Sequence, residues 1–383
     1  MSVIADIKNI FENLGHVVDQ WSLSSHRWLF NLEECKSPVI NSSNWKSLDE
    51  SMCERFYEEH KEDLDKYDAF ISIYPPCFLK LFEKFNKPII VVCATRYDYP
   101  LINDTERLEW FEDSLNNNTN LILVTNNEFD KNYCELFLKK EWEWIPSLCD
   151  YTNAKYKPTQ DKSVVFSKFR LNLGPDMVHQ SHLGKYSWDN LYSFESIVHF
   201  PYNVSTMSIF EQHQAGVPLR IPSLSLALEL ISKGVPLFSE IVFPSNTPSK
   251  SPQIFLNKDW LSYSDFYNGT IKCSYFDSLD TIKSNDSYSN NSNKEFIYDK
   301  WNSILGKIGT WNGCGSTRCV LEGIKDRNNI KFCTLECDIE QYKLAVSSNY
   351  NNPKVEFILG KIVNEDDLDV ENLSIEETTW LKN

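Results

Sequence analysis

No stretch of this chain approaches the ~20 consecutive apolar residues that cross a bilayer, so no membrane-spanning helix is expected. The opening Met1-Ser-Val-Ile-Ala-Asp lacks the basic start and long apolar run of a signal peptide, and the expectation is a cytoplasmic protein. Positive charge is scarce: 38 Lys and Arg face 54 Asp and Glu, a formal net charge of −16. Phosphate backbones demand a basic surface, so a general nucleic-acid partner is excluded, whereas a small anionic ligand needs only one local cluster of cations. Closely spaced cysteine pairs are missing too. Cys314, Cys319, Cys333 and Cys337 cluster, yet neither pair has the two-residue gap of a zinc knuckle, and the 11 cysteines read as free thiols. No metal is expected.

What is present is ordinary in bulk and informative in order. A length of 383 residues predicts two or three domains, and 42% hydrophobic with 24% charged residues is a globular composition. Aromatics reach 14%, with 11 Trp and 18 Tyr; such rings build cores and also suit stacking on sugar rings. Through about residue 150, short buried-strand runs alternate with amphipathic helices. Strands are expected at 69–74, 88–94, 121–125 and 142–145, and helices at 48–66, 78–85, 105–115 and 128–140. That alternation means a parallel sheet with right-handed crossovers. The start is unusual, because a helix at Ile4 to Leu14 precedes the first candidate strand, Val17-Val18. The usual first strand is either lacking or lies upstream of Met1.

Residues 196–223 carry the most function. An apolar strand (Ser196 to Phe200) turns at Pro201 and Asn203 into a hydroxyl-rich helix start at Ser205, Thr206 and Ser208. That helix carries Glu211, ends at Gly216, and leads into a strand at Val217 to Ile221. Backbone N–H groups at a helix start attract phosphate, and a carboxylate a turn and a half on can accept from ribose hydroxyls. The plain alternative is a capped amphipathic helix.

The same stretch resembles the donor-binding signature of glycosyltransferases of the two-Rossmann, or GT-B, architecture, through Ser205-Thr206, Glu211 and Gly216-Val217-Pro218. The resemblance covers residues 1–283 or so and implies two Rossmann-like domains facing a cleft: an acceptor-side domain at 1–150 and a donor-binding domain at 151–283. It implies that Glu211 grips the donor ribose while the helix start faces the diphosphate. Trp260 to Tyr267 followed by Phe276 to Leu279 resembles closing elements in one group of these enzymes, more weakly.

Residues 284–300 read as a flexible low-complexity linker. Beyond it, a candidate strand at Ile304 to Ile308 leads into Gly313-Cys-Gly-Ser-Thr317, then a helix, a strand at Ile330 to Leu335 closed by Glu336, and a strand at Val355 to Leu359. A glycine turn with an acid ~20 positions later is a dinucleotide or adenosyl fingerprint. The segment 301–383 resembles the first half of a class I S-adenosylmethionine methyltransferase, which implies that Gly313 and Gly315 pass the cofactor and Glu336 holds its ribose. It departs from that family in lacking an acid before the glycines, where Thr310-Trp-Asn312 stands.

Ligands of doubly wound sheets bind beyond the carboxyl ends of strands. That rule selects Arg96 and Asp98 in the first domain and Lys168 and Arg170 in the second. Paired cations would stabilise a departing diphosphate, and inverting transfer needs a general base. Asp98 is the first candidate base, with His16 and Asp19 as alternatives. Donor contacts are expected from Lys168, Arg170, Asn203, Ser205, Thr206 and Glu211. His199 and His213 are read as satisfied core or surface groups, and His26, with Arg27 and Trp28, as a potential acceptor-facing segment. Neither Asp63-Leu-Asp65 nor Asp367-Leu-Asp369 follows a buried strand, so a metal-independent transfer needing no cofactor is expected, with a nucleotide-sugar as co-substrate. A non-catalytic nucleotide- or glycan-binding protein, and methyl transfer from S-adenosylmethionine, are the rival expectations.

Overall fold

The computed structural model of the chain describes residues 2–24, 34–35, 37–171, 173–241, 255–282 and 293–311, with the strands Phe332–Glu336 and Val355–Leu359. It divides into two compact units, Met1–Asn302 and Ser303–Asn383.

The first unit holds two all-parallel sheets. Strands β1 (Phe70–Ser72), β2 (Ile89–Cys93), β3 (Leu121–Thr125) and β4 (Glu143–Trp144) form one of them in that spatial order. All five residues of β2 are buried. A parallel strand covered on both faces has no use for polar alternation, hence the unbroken Ile-Ile-Val-Val-Cys. Its helices are α1 (Ser2–Asn13), α2 (Glu50–Leu64), α3 (Thr105–Asn117) and α4 (Glu128–Leu138). Asp49, Asp104 and Asn127 cap the last three by accepting from backbone N–H groups three residues on. The expected helix over 78–85 is two short 3-10 turns, Pro76–Leu81 and Glu83–Phe85, closed by left-handed Asn86. No strand forms at Val17-Val18; Val17 is almost fully exposed and leaves no apolar face to bury.

The second sheet contains β5 (Gln160–Phe166), β6 (Met177–His179), β7 (Phe194–His199), β8 (Leu219–Pro222) and β9 (Ser274–Phe276) in the order β6-β5-β7-β8-β9. Helices α5 (Trp188–Leu191), α6 (Met207–Ala215), α7 (Leu224–Ser232) and α8 (Lys258–Leu261) connect these strands. The strand order reverses between β5 and β7, and at such a switch the two outgoing loops part and leave a crevice. Gly216 ends α6 at φ +87°, a conformation that side chains with a Cβ rarely adopt. Val164, Val165, Ile197 and Val198 are wholly buried in the centre of the sheet, each contributing roughly 1.5–3 kcal/mol by leaving water.

The helix α9 (Lys294–Trp311) corrects two expectations. Residues 294–300 are helical and not linker, and Ile304 to Ile308 is helix interior and not strand. The buried positions Ile297, Trp301, Ile304, Leu305 and Ile308 recur every three to four residues, which is a helical period. Its first turns return to the first sheet's side of the unit: Lys294 pairs with Asp150, Lys300 with Glu143, and Trp301 meets Phe11 edge-on at 5.2 Å.

In the second unit β10 (Phe332–Glu336) and β11 (Val355–Leu359) pair in parallel, close to the expected strands. Gly313, Gly315 and the stretch between them and β10 lie outside the described residues. Among the described residues no helix is long and apolar enough to cross a membrane.

Candidate functional site

The carboxyl ends of the two sheets come together. Arg96, three residues past β2, donates from Nη2 to Asn203 Oδ1 at 3.3 Å, and Asn203 lies four residues past β7. Ser147, just beyond β4, contacts the sulfur of Met207 at the start of α6 at 3.3 Å. Farther along, Asn268 donates to Glu128 at 2.9 Å, and Phe129 packs on Trp260 at 5.2 Å.

On the first sheet's side the polar groups are largely satisfied by one another. Arg96 is buried and ion-pairs with buried Asp130 at 3.3 Å. Burial raises the Asp130 carboxyl above its usual range, against the pull of Arg96 and then of Asn127. Asp98 is wholly buried and accepts from Tyr133 Oη at 2.8 Å. Tyr97 donates to Glu112 at 2.6 Å. His16 is half-buried at the end of α1, 6.3 Å from the Phe11 ring. Asp19, the other alternative base, accepts from Tyr67 at 2.5 Å.

On the second sheet's side the strand ends stay open. Lys168, two residues beyond β5, is half exposed, rides 4.5 Å above the Tyr202 ring and pairs with Glu240 at 3.1 Å. Tyr202 leaves β7, so this contact bridges the switch point. Arg170 is exposed beside it in sequence. Burial raises the Tyr202 hydroxyl, Glu240 adds to this, Lys168 and then Thr206 oppose it, and Glu211 adds a smaller push. Lys168, between the Tyr202 ring and the Glu240 carboxylate, therefore ties the two loops together. Asp265, near Ser205, is a wholly buried carboxyl that burial holds well above its usual range, with Ser205 opposing.

Glu211 is buried and already occupied. Its carboxylate accepts from Tyr151 Oη at 2.5 Å and Trp188 Nε1 at 3.3 Å. Burial raises its pKa against those donors. A ribose diol would have to displace one of them. His199 and His213 behave as core groups: burial pushes both down to about 4, and His199 bonds Gln212 at 2.6 Å and stacks on Phe166.

Three groups escaped the sequence. Glu240 carries no motif; it reaches the site because Phe238 N–H and Glu240 N–H bond to the carbonyls of Pro201 and Tyr202, laying residues 238–240 along the β7 loop. Asp265 lies inside the aromatic-rich stretch Trp260 to Tyr267, and a lone carboxylate among apolar residues was its only signal. Tyr74 and Tyr99, beyond β1 and β2, stack at 5.7 Å with 17° between planes, and both tilt against Trp45. No group of three His, Cys, Asp or Glu suited to a metal ion occurs among the described residues, and the seven described cysteines are free. His26, Arg27, Trp28 and Asp367 to Asp369 lie outside the described residues, as do the side chains of Cys314, Cys319, Cys333 and Cys337.

The class these features define is an α/β protein with two all-parallel, Rossmann-like sheets of four and five strands. No family model matches the chain, and no curated protein matches its sequence.

Proposed function

We propose that the protein is a sugar-nucleotide-dependent glycosyltransferase, with the donor seated at the β5–β7 switch point. The observation that carries this reading is Lys168 over Tyr202 at that switch, with Arg96 of the opposite sheet bonded to Asn203 next to it. A nucleotide diphosphate gains negative charge as it departs, and Lys168 and Arg170 are the cations held where that charge develops. Ser205 and Thr206 at the start of α6 face the diphosphate. We assign the general base to Glu240, since it is half exposed beside Lys168, whereas Asp98 is shut in beneath Tyr133. Glu211 acts through Tyr151 and Trp188 to fix α6, and grips ribose only where those donors yield.

The test is a melting-temperature screen of the full chain with UDP, GDP, dTDP and their sugars, because a ligand bound only by the folded state raises the transition. At least one should raise it, Lys168→Ala should remove the rise, and Glu240→Gln should keep it while abolishing sugar transfer. No rise with any of them would overturn the assignment. A non-catalytic nucleotide-binding role is the second reading, favoured by the burial of Arg96 and Asp98. Slow hydrolysis of a sugar nucleotide by the native chain would exclude it. Methyl transfer rests on Gly313, Gly315 and Glu336 alone, and heat on mixing with S-adenosylmethionine is its test.

A further inference from the structure

Among the described residues, Tyr74 is one of eight large hydrophobic side chains left exposed, at 48%, yet it is not a stray surface residue. One face is covered by Tyr99 at 5.7 Å, and the Trp45 ring leans on both at 6.3 and 6.2 Å. Trp45 is itself braced by Phe78 at 6.3 Å. Burial, followed by the neighbouring Tyr99, raises the Tyr74 pKa. The result is a rigid aromatic shelf. It stands beyond the carboxyl ends of β1 and β2, where ligands of parallel sheets bind. Its polar rim holds the phenol hydroxyls and exposed Lys46, 5.4 Å from the Trp45 ring, and half-exposed Glu240 acts electrostatically on the Tyr74 hydroxyl.

A flat ring edged by a carboxylate, an ammonium and phenol hydroxyls matches one kind of ligand well. A pyranose has an apolar face of C–H groups and an equatorial rim of hydroxyls. Stacking removes the first from water, and the charged rim hydrogen-bonds the second. An acyl chain would need a continuous apolar surface, which the rim interrupts. We propose that Tyr74, Tyr99 and Trp45, with Glu240 at the edge, form a carbohydrate-binding subsite, so that the acceptor is itself a sugar. This rests on the glycosyl-transfer reading and narrows its acceptor. Glu240 joins the two halves, pairing with Lys168 on the donor side and reaching the shelf on the other.

The experiment is saturation-transfer NMR on the full chain with methyl β-D-glucopyranoside, methyl α-D-mannopyranoside and chitobiose, alone and with UDP, GDP or dTDP present. At least one pyranoside should receive saturation on the C–H protons of one ring face and keep it when nucleotide is added. Tyr74→Phe should retain binding, and Tyr74→Ala should weaken it about tenfold, the loss expected for one stacking ring. Because Tyr74 is exposed, Tyr74→Ala should melt as the native chain does. Pyranoside binding unchanged in Tyr74→Ala overturns the subsite, and displacement by nucleotide reassigns the shelf to the base. A nucleotide-induced rise in melting temperature with no pyranoside binding overturns the sugar acceptor and leaves the donor site standing. Silence from both classes overturns both.

Discussion

The two sheets share an all-parallel design but treat their strand ends in opposite ways. Beyond β2 the charges are internal: Arg96 pairs with Asp130, and Asp98 takes a proton donor from Tyr133, all in the dry interior. Beyond β5 and β7 the cation Lys168 stands half in water, over an aromatic ring and beside a half-exposed carboxylate. A buried ion pair gains little net stability because desolvation offsets its attraction, but breaking it exposes the full cost. An open cation costs little and remains available to a ligand. The charged groups of the first edge are thus committed to holding their own loop, and those of the second are left for a ligand. Similar residue types at equivalent strand ends carry different roles, and their partners decide which.

Four measurements can break or sharpen that contrast. The largest effect belongs to Arg96→Ala, which strands Asp130 in the interior and should cost about 3–5 kcal/mol in urea unfolding; Lys168→Ala should leave unfolding nearly unchanged, in line with the small worth of exposed pairs. Equal losses at the two positions would erase the distinction.

Next is a pH slope from Asp6, which joins α1 to the chain leaving the first sheet by accepting from Leu148 and Cys149 N–H at 2.9 and 2.6 Å. Burial pushes this carboxyl from 3.8 up to about 7, against the pull of those two donors. Between these values the folded chain binds more protons than the unfolded one, so this group's contribution is fully present below about pH 4 and is lost by about pH 7. Asp6→Asn should flatten that part of the native stability profile; an identical slope in the variant would refute the assignment.

Third, Glu211→Ala unpairs the Tyr151 hydroxyl and Trp188 N–H and should lower stability by about 2–3 kcal/mol. Nucleotide affinity should fall far less than in Lys168→Ala, and the reverse ranking would return the ribose to Glu211. The smallest effect is Asp104→Ala, which removes the cap of α3 and should cost about 1 kcal/mol without touching nucleotide-induced stabilisation.

Much of the architecture was legible because it is written locally. Ile89–Cys93 is uninterrupted and apolar, Asp104 stands before its helix, and Gly216 ends α6. Short or weakly patterned pieces were not legible: β6 is three half-buried residues, and the 3-10 turns after Pro76 imitate an amphipathic helix. The strand expected at Ile304 to Ile308 failed because a five-residue window hides the period that Ile297 and Trp301 reveal.

Residue order alone was enough for the parallel α/β class, for the strand ends on which Arg96, Lys168 and Asn203 sit, and for the hydroxyl-rich start of α6, since each depends on neighbours within a few positions. Folding in three dimensions decided the rest. It turned Arg96 inward to Asp130, closed Tyr151 and Trp188 over Glu211, and brought Glu240 alongside the β7 loop. Those outcomes hang on partners 23 to 60 residues away, whose identity no local pattern encodes. Whether a charged side chain serves the protein or a ligand depends on what stands opposite it once water has been removed.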